Sequence, residues 1–159
     1  MKTAIFPGSF DPMTLGHLDI IERSSRMFDR IIVVILENSE KHAVFSMEER
    51  QAFLRSNTAH LSNVEVARDH GLTVDFARKH DAVAIVRGVR SVKDYEYELN
   101  IAAVNQQIAP EVETMLLYAS HKYSYVSSSI IRELVKYGQD IRAYVPEDVA
   151  AALAQKQCK

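Results

Sequence analysis

Short apolar runs alternate along the chain with stretches whose apolar positions recur every three or four residues. Residues 31–36, Ile-Ile-Val-Val-Ile-Leu, form an unbroken β-branched run. Such a run predicts a strand covered on both faces, as in a parallel sheet. Residues 3–6 predict an earlier strand, stopped by Pro7-Gly8, and 63–67, 82–86 and 114–118 predict three more. Helical spacing covers 17–28 (with Leu18, Ile21 and Ser25 on one stripe), 72–80, 94–108, 128–137 and 146–156. Ser46-Met47-Glu48-Glu49 reads as a capping box opening a further helix towards Ala59, with the charges of Glu48, Glu49 and Arg50 on a solvated face. Gly138 sits where a helix C-cap glycine belongs, and Pro146 at a first helical turn.

Strand and helix in strict alternation imply an α/β fold: a single-domain, Rossmann-like, five-stranded parallel sheet with helices on both faces. The whole of 1–159 is expected to be that one domain, with the helix at 146–156 packed on it. A composition of 47% hydrophobic and 25% charged residues excludes a disordered or low-complexity chain. Nineteen Lys and Arg against 21 Asp and Glu give a net charge of −2, so no general nucleic-acid footprint is expected. The single cysteine, Cys158, suits a reducing compartment. With neither a signal-peptide core nor a bilayer-length apolar run, the expectation is a soluble, cytoplasmic protein without a membrane partner.

Ligands of such sheets lie beyond the carboxyl ends of the strands, near a switch in strand order. Four loops there carry candidate chemistry. In Gly8-Ser9-Phe10-Asp11-Pro12-Met13-Thr14-Leu15-Gly16-His17, the glycines allow close backbone approach, and a helix starting near Thr14 would favour an anion with His17 beside it. The same residues could equally shape a turn that His17 caps. Lys41 follows the second strand, where a lysine is ordinarily a solvated charge. Arg87-Gly88-Val89-Arg90 places two guanidinium forks where they can converge on phosphate, or stand in solvent. Ser127-Ser128-Ser129 at a helix start can cradle phosphates or simply cap the helix. Tyr95, Tyr97 and Ile101 read as helical core, and the histidines at 60, 70, 80 and 121 have no metal-ligand spacing.

Thr14-Leu15-Gly16-His17 resembles the Thr/His-x-Gly-His motif of the nucleotidyltransferase α/β superfamily. Ile5-Phe6-Pro7-Gly8-Ser9-Phe10-Asp11-Pro12, Phe45-Ser46-Met47-Glu48-Glu49-Arg50, Ile85-Val86-Arg87-Gly88-Val89-Arg90, Asp94-Tyr95-Glu96-Tyr97-Glu98 and Tyr125-Val126-Ser127-Ser128-Ser129-Ile130-Ile131-Arg132-Glu133 resemble, in order, the bacterial phosphopantetheine adenylyltransferase family. The matches run from residue 4 to about 150. The resemblance implies transfer of the adenylyl group of ATP to 4′-phosphopantetheine, giving dephospho-coenzyme A and pyrophosphate.

It further implies roles for individual residues. His17 would stabilise the transition state, while Lys41 and Arg87 hold the acceptor phosphate. ATP would meet Ser9, Phe10, His17, Gly88, Val89, Arg90, Glu98, Tyr123, Ser124, Tyr125, Val126, Ser127, Ser128 and Ser129. Ser9, Thr73, Ile101 and Asn105 would line the acceptor with Lys41 and Arg87. Tyr123 stands where the family usually has tryptophan, and Thr73 where it usually has methionine or leucine. Mg²⁺ is implied on the substrate phosphates with few protein ligands, coenzyme A as an inhibitor, and a homohexamer built as a dimer of trimers. Two rivals stand beside this reading: another small-molecule nucleotidyltransferase of the superfamily, and a nucleotide-binding sensor without chemistry.

Overall fold

The computed structural model describes residues 1–37 and 43–157. Five strands occupy the expected stretches, but β1 runs on through the Pro7-Gly8 expected to stop it and β4 through Arg87-Gly88-Val89, expected in a loop, because both stay paired in the sheet: β1 Thr3–Gly8, β2 Arg30–Leu36, β3 Val64–Asp69, β4 Ala82–Val89 and β5 Glu113–Tyr118. They pair in parallel in the order β3-β2-β1-β4-β5. The chain therefore builds outwards from β1 to β3, then returns across β1 to start β4. The carboxyl ends of β1 and β4 form the switch point where a ligand crevice opens.

The helices are α1 Leu15–Ser25, α2 Met47–Thr58, α3 Thr73–Lys79, α4 Val92–Ile108, α5 Ser128–Lys136 and α6 Glu147–Gln157, with a 3₁₀ turn His121–Tyr123 before α5. Side-chain parity along the strands sorts the core into two faces. Ile31, Val33 and Ile35 of β2 join Ala4, Phe6, Ala84 and Val86 beneath Ile20, Ile21 and Leu54 of α1 and α2. Ile32 and Val34 point the other way, with Ile5 and Ile85, against Val74, Phe76 and Ala77 of α3. This two-sided burial explains the continuous apolar run, and each such side chain contributes about 1.5–3 kcal/mol by leaving water. A third cluster seats α5 and α6: Ile131, Val149 and Leu153 meet Phe45, Val126, Ile141 and Val145.

Two further expectations are corrected. The first helix starts at Leu15 rather than 17 and stops at Ser25 rather than 28, because Thr14 caps it and Arg26 closes it; Phe28 reaches the core from the following turn. The tyrosines of α4 are not core. Tyr97 is 63% exposed and Tyr95 and Ile101 are exposed too, because the helix buries a single residue, Glu98. That helix lies over the strand ends on a polar contact instead of an apolar stripe.

Candidate active site

From Gly8 the chain turns at once through Ser9, Phe10, Asp11 and Pro12 to Thr14, the N-cap of α1. Thr14 Oγ1 accepts from the His17 N–H at 3.2 Å, and His17 Nδ1 accepts from the Thr14 N–H at 3.0 Å. A backbone N–H can only donate, so this bond leaves the imidazole proton on Nε2. The capping and ligand readings of His17 are thus one arrangement, in which the cap occupies one nitrogen and fixes the other as a donor. The ring leans on Phe6 and meets Phe10 edge-on, with centroids 5.0 Å apart in the second pair, and lines a cavity. Burial, then the charges of Arg87 and Arg90, lowers its pKa from 6.5 to about 4. At neutral pH it is an uncharged N–H donor.

Phe10 reaches this position through a left-handed backbone, φ 49°. Its ring lies so close to Gly8 that an added Cβ would stand 3.1 Å away. The first turn of α1 offers fewer free amides than its sequence suggests. Leu15 N–H is already bound to Tyr144 O at 2.8 Å, and His17 N–H to Thr14.

Arg87 leaves β4 on the same side as Ile85, towards α4. There Glu98, 5% exposed, receives it bidentately: Nε to Oε2 at 2.9 Å and Nη2 to Oε1 at 2.8 Å. Its third nitrogen, Nη1, donates to Pro7 O at 2.6 Å. Gly88, with opposite parity, lies under Ile20 of α1. Arg90 is held by Asp94 (Nε to Oδ2, 2.9 Å) and by Val126 O at 3.3 Å. Ser127 caps α5 by accepting from Ile130 N–H, and Ser128 Oγ donates to Pro12 O at 2.8 Å.

Two cavities meet at these residues. The first, about 330 Å³, is walled by Ser9, Phe10, His17, Gly88, Arg90 and Glu98, and closed by Tyr123, Val126, Ser127 and Ser128. The second, about 300 Å³, brings Ser9 and Arg87 together with Thr73, Ile101 and Asn105. Pro7, Gly8, Ser9, Arg87, Tyr97 and Glu98 belong to both. Val89, Ser124, Tyr125 and Ser129 stand outside both linings. The Ser124 hydroxyl donates to His121 O, Tyr125 packs edge-on against Tyr144, and Ser129 Oγ takes Arg132 Nη2. Lys41 lies outside the described residues.

Arg50 corrects the solvated reading of its charge run. It is 8% exposed, on the buried stripe of α2 with Leu54 and Thr58. Its Nε donates to Phe45 O and its Nη1 to Ser9 O, both at 3.0 Å. Asp11, also missed, is 7% exposed and accepts from Val44 and Phe45 N–H, each at 2.9 Å. Arg132 Nη1 donates to Asp11 O at 2.7 Å. The spacing Arg50, Leu54, Thr58 was the available signal, since four-residue steps put all three on one helix face. Among the described residues no group of three or more His, Cys, Asp or Glu could hold a metal, and no helix is long and apolar enough to cross a membrane.

A cytidylyltransferase-like family model matches residues 5–134. A phosphopantetheine adenylyltransferase of Shouchella clausii (strain KSM-K16) is 48% identical over 155 residues, 98% of each chain. Another, of Methylococcus capsulatus (strain ATCC 33009 / NCIMB 11132 / Bath), is 47% identical over 97% of this chain and 95% of its own. A solved structure from Vibrio parahaemolyticus, provisionally named a nicotinate-nucleotide adenylyltransferase, superposes with TM-score 0.69 at 22% identity, covering 98% of this chain and 93% of that one. At that identity the superposition speaks for the fold alone.

Proposed function

The chain belongs to the phosphopantetheine adenylyltransferase family of cytidylyltransferase-like proteins, and on that premise we propose that it joins ATP and 4′-phosphopantetheine into dephospho-coenzyme A, releasing pyrophosphate. The observation that carries this is the pair of cavities meeting at Ser9 and Arg87. A transferase of this kind needs two reactants held apart along their length and in contact at one phosphate each.

An oxygen of the acceptor phosphate attacks the α-phosphorus of ATP in line, and the bond to the bridging β-oxygen breaks. Both oxygens belong to the reactants, so the protein supplies position and charge rather than a nucleophile. His17 offers its Nε2–H to an α-phosphate oxygen. Its neutrality matters less than its fixed direction, because a preset donor needs no reorganisation as charge builds. Arg87, held on three sides, turns its remaining N–H edge and its charge towards the acceptor phosphate, joined in this proposal by Lys41. Arg90 and the Ser127-Ser128 helix start receive the leaving pyrophosphate. Thr73, Ile101 and Asn105 line the pantetheine arm.

The carboxylates in the cavity walls, Asp94 and Glu98, are engaged by Arg90 and Arg87. With both carboxylates engaged, Mg²⁺ would be held through the phosphates of ATP, where it would neutralise their charge. Coenzyme A, carrying the product's own skeleton, is expected to compete for both cavities. The exposed apolar residues of α4, among them Leu99, Val104 and Ile108, support self-association, with the hexamer as the expected assembly and the cytoplasm as the expected location.

The test follows pyrophosphate release with ATP, Mg²⁺ and 4′-phosphopantetheine, with CTP and unphosphorylated pantetheine as controls. Release that requires both ATP and the phosphorylated acceptor is expected. Folded protein that binds ATP without releasing pyrophosphate would overturn the proposal.

A further inference from the structure

The loop of residues 9–12 touches both reactants in the proposed reaction, yet it lies outside every helix and strand, with only a turn at Asp11 and Pro12. Its shape depends on what grips it. Two bridges run from it to the segment that leads into α2. Arg50 spans Ser9 O and Phe45 O with two nitrogens of one guanidinium, and the Asp11 carboxylate spans Val44 and Phe45 N–H. Both side chains are buried, and both bridges end on Phe45. A planar fork between two carbonyls fixes their separation and direction together, which a single ammonium cannot do.

The grip reaches the chemistry through Phe10. Arg50 holds the peptide oxygen of Ser9, immediately before Phe10. Phe10 has the left-handed backbone and packs its ring edge-on against His17 at 5.0 Å. Releasing Ser9 O would allow this peptide to rotate, Phe10 to relax towards a commoner backbone, and the His17 ring to lose its support. Misplacement by about 1 Å can cost on the order of 100-fold in rate.

We propose that Arg50, assisted by Asp11, is a positioning residue that, through the Ser9–Phe10 peptide and the Phe10 ring, holds the His17 ring in the direction the Thr14 cap gives it. The proposal rests on the adenylyl-transfer reading for its kinetic consequence but not for its geometry. Two measurements separate the two claims. In the first, NMR of the ligand-free chain follows the His17 ring signals in the wild type and in Arg50→Lys. The lysine variant keeps the charge but loses the fork, and displaced His17 signals with the other histidines unmoved are expected. Unmoved His17 signals overturn the positioning role, whether or not the wild type turns over.

The second is a kinetic cycle of Arg50→Met, Arg50→Lys and His17→Ala. Arg50→Met should lower kcat about 10- to 100-fold in the wild type, and Arg50→Lys by less. Neither should lower it further in His17→Ala, because the positioned group is gone. Equal fold-losses in both backgrounds would mean that Arg50 only maintains folded protein, and would overturn the proposal. If Arg50→Met does not fold, the lysine variant decides the cycle by the same criterion. A wild type without pyrophosphate release would refute the adenylyl-transfer reading, leaving the NMR result to judge the positioning role.

Discussion

The two cavities are built by different means, although they share a wall. The one assigned to ATP is made by loops and helix starts: His17 and Ser127 each bond to backbone three residues away at a cap, and Ser128, the first residue of α5, donates across to Pro12 O of the first loop. The one assigned to the acceptor is made by side chains from separate elements, with Thr73 at the start of α3 and Ile101 and Asn105 along α4. Arg87 and Glu98 stand between, a half-buried ion pair that belongs to both, with the carboxylate the buried partner. Local hydrogen bonds set donors in direction, whereas dispersed side chains set shape. The first cavity should therefore govern rate and the second affinity.

The strongest way to break that comparison is His17→Ala. Loss of one preset donor to a developing oxyanion costs on the order of 100- to 1,000-fold in kcat, with the KM for ATP changed little. Steady-state kinetics decide it, and a loss confined to KM would erase the distinction between the cavities.

Glu98 tests the shared wall with a smaller expected effect. In Glu98→Gln the bidentate acceptor becomes an amide, and Arg87 loses its buried counter-charge. Arg87 should then leave its position, raising the KM for the phosphorylated acceptor about tenfold while unphosphorylated pantetheine, as a competitive inhibitor, binds as before. Equal weakening of both would show that Glu98 shapes the cavity rather than orienting Arg87.

The same division explains what the sequence could and could not reveal. Cap-built features are contiguous, so Thr14 to His17 and the three serines stand out as strings. The strands were legible for a similar reason, since burial on both faces forces the unbroken run at β2. Arg50 was not legible within its charge run, because Glu48 beside it is indeed exposed and Glu49 is half-exposed on the capping turn. Only the four-residue step to Leu54 and Thr58 betrays it. Tyr97 misled in the opposite direction. An aromatic at helical spacing suggests core, but α4 docks through Glu98 and leaves its tyrosines at the cavity mouth and on the open face.

Asn105→Ala sharpens the acceptor side. It removes one polar contact from a cavity wall and should raise the acceptor KM only severalfold, since a neutral hydrogen bond contributes about 0.5–1.5 kcal/mol. The kcat and the KM for ATP should stay at wild-type values in the same assay. A fall in kcat beside the rise in KM would show a contact that strengthens in the transition state instead of one made equally in both states.

The smallest effect expected is on stability, and it belongs to the loop-built side alone. His17 has its folded-state pKa lowered from 6.5 to about 4, so the unfolded chain binds this proton more readily than the folded one. Its contribution to stability is complete above about pH 6.5 and declines as the pH falls towards 4, below which both states carry the proton. Denaturant unfolding of the wild type and of His17→Gln, which keeps a polar side chain without titrating, should give stability differences that shrink or reverse across that window and stay constant from pH 7 to 8. The matching comparison of wild type with Asn105→Ala should show no such pH dependence, since the acceptor wall loses no titrating group. A parallel acid slope in all three proteins would mean that His17 is charged or solvated in the free protein, and the fixed neutral donor would no longer distinguish one cavity from the other.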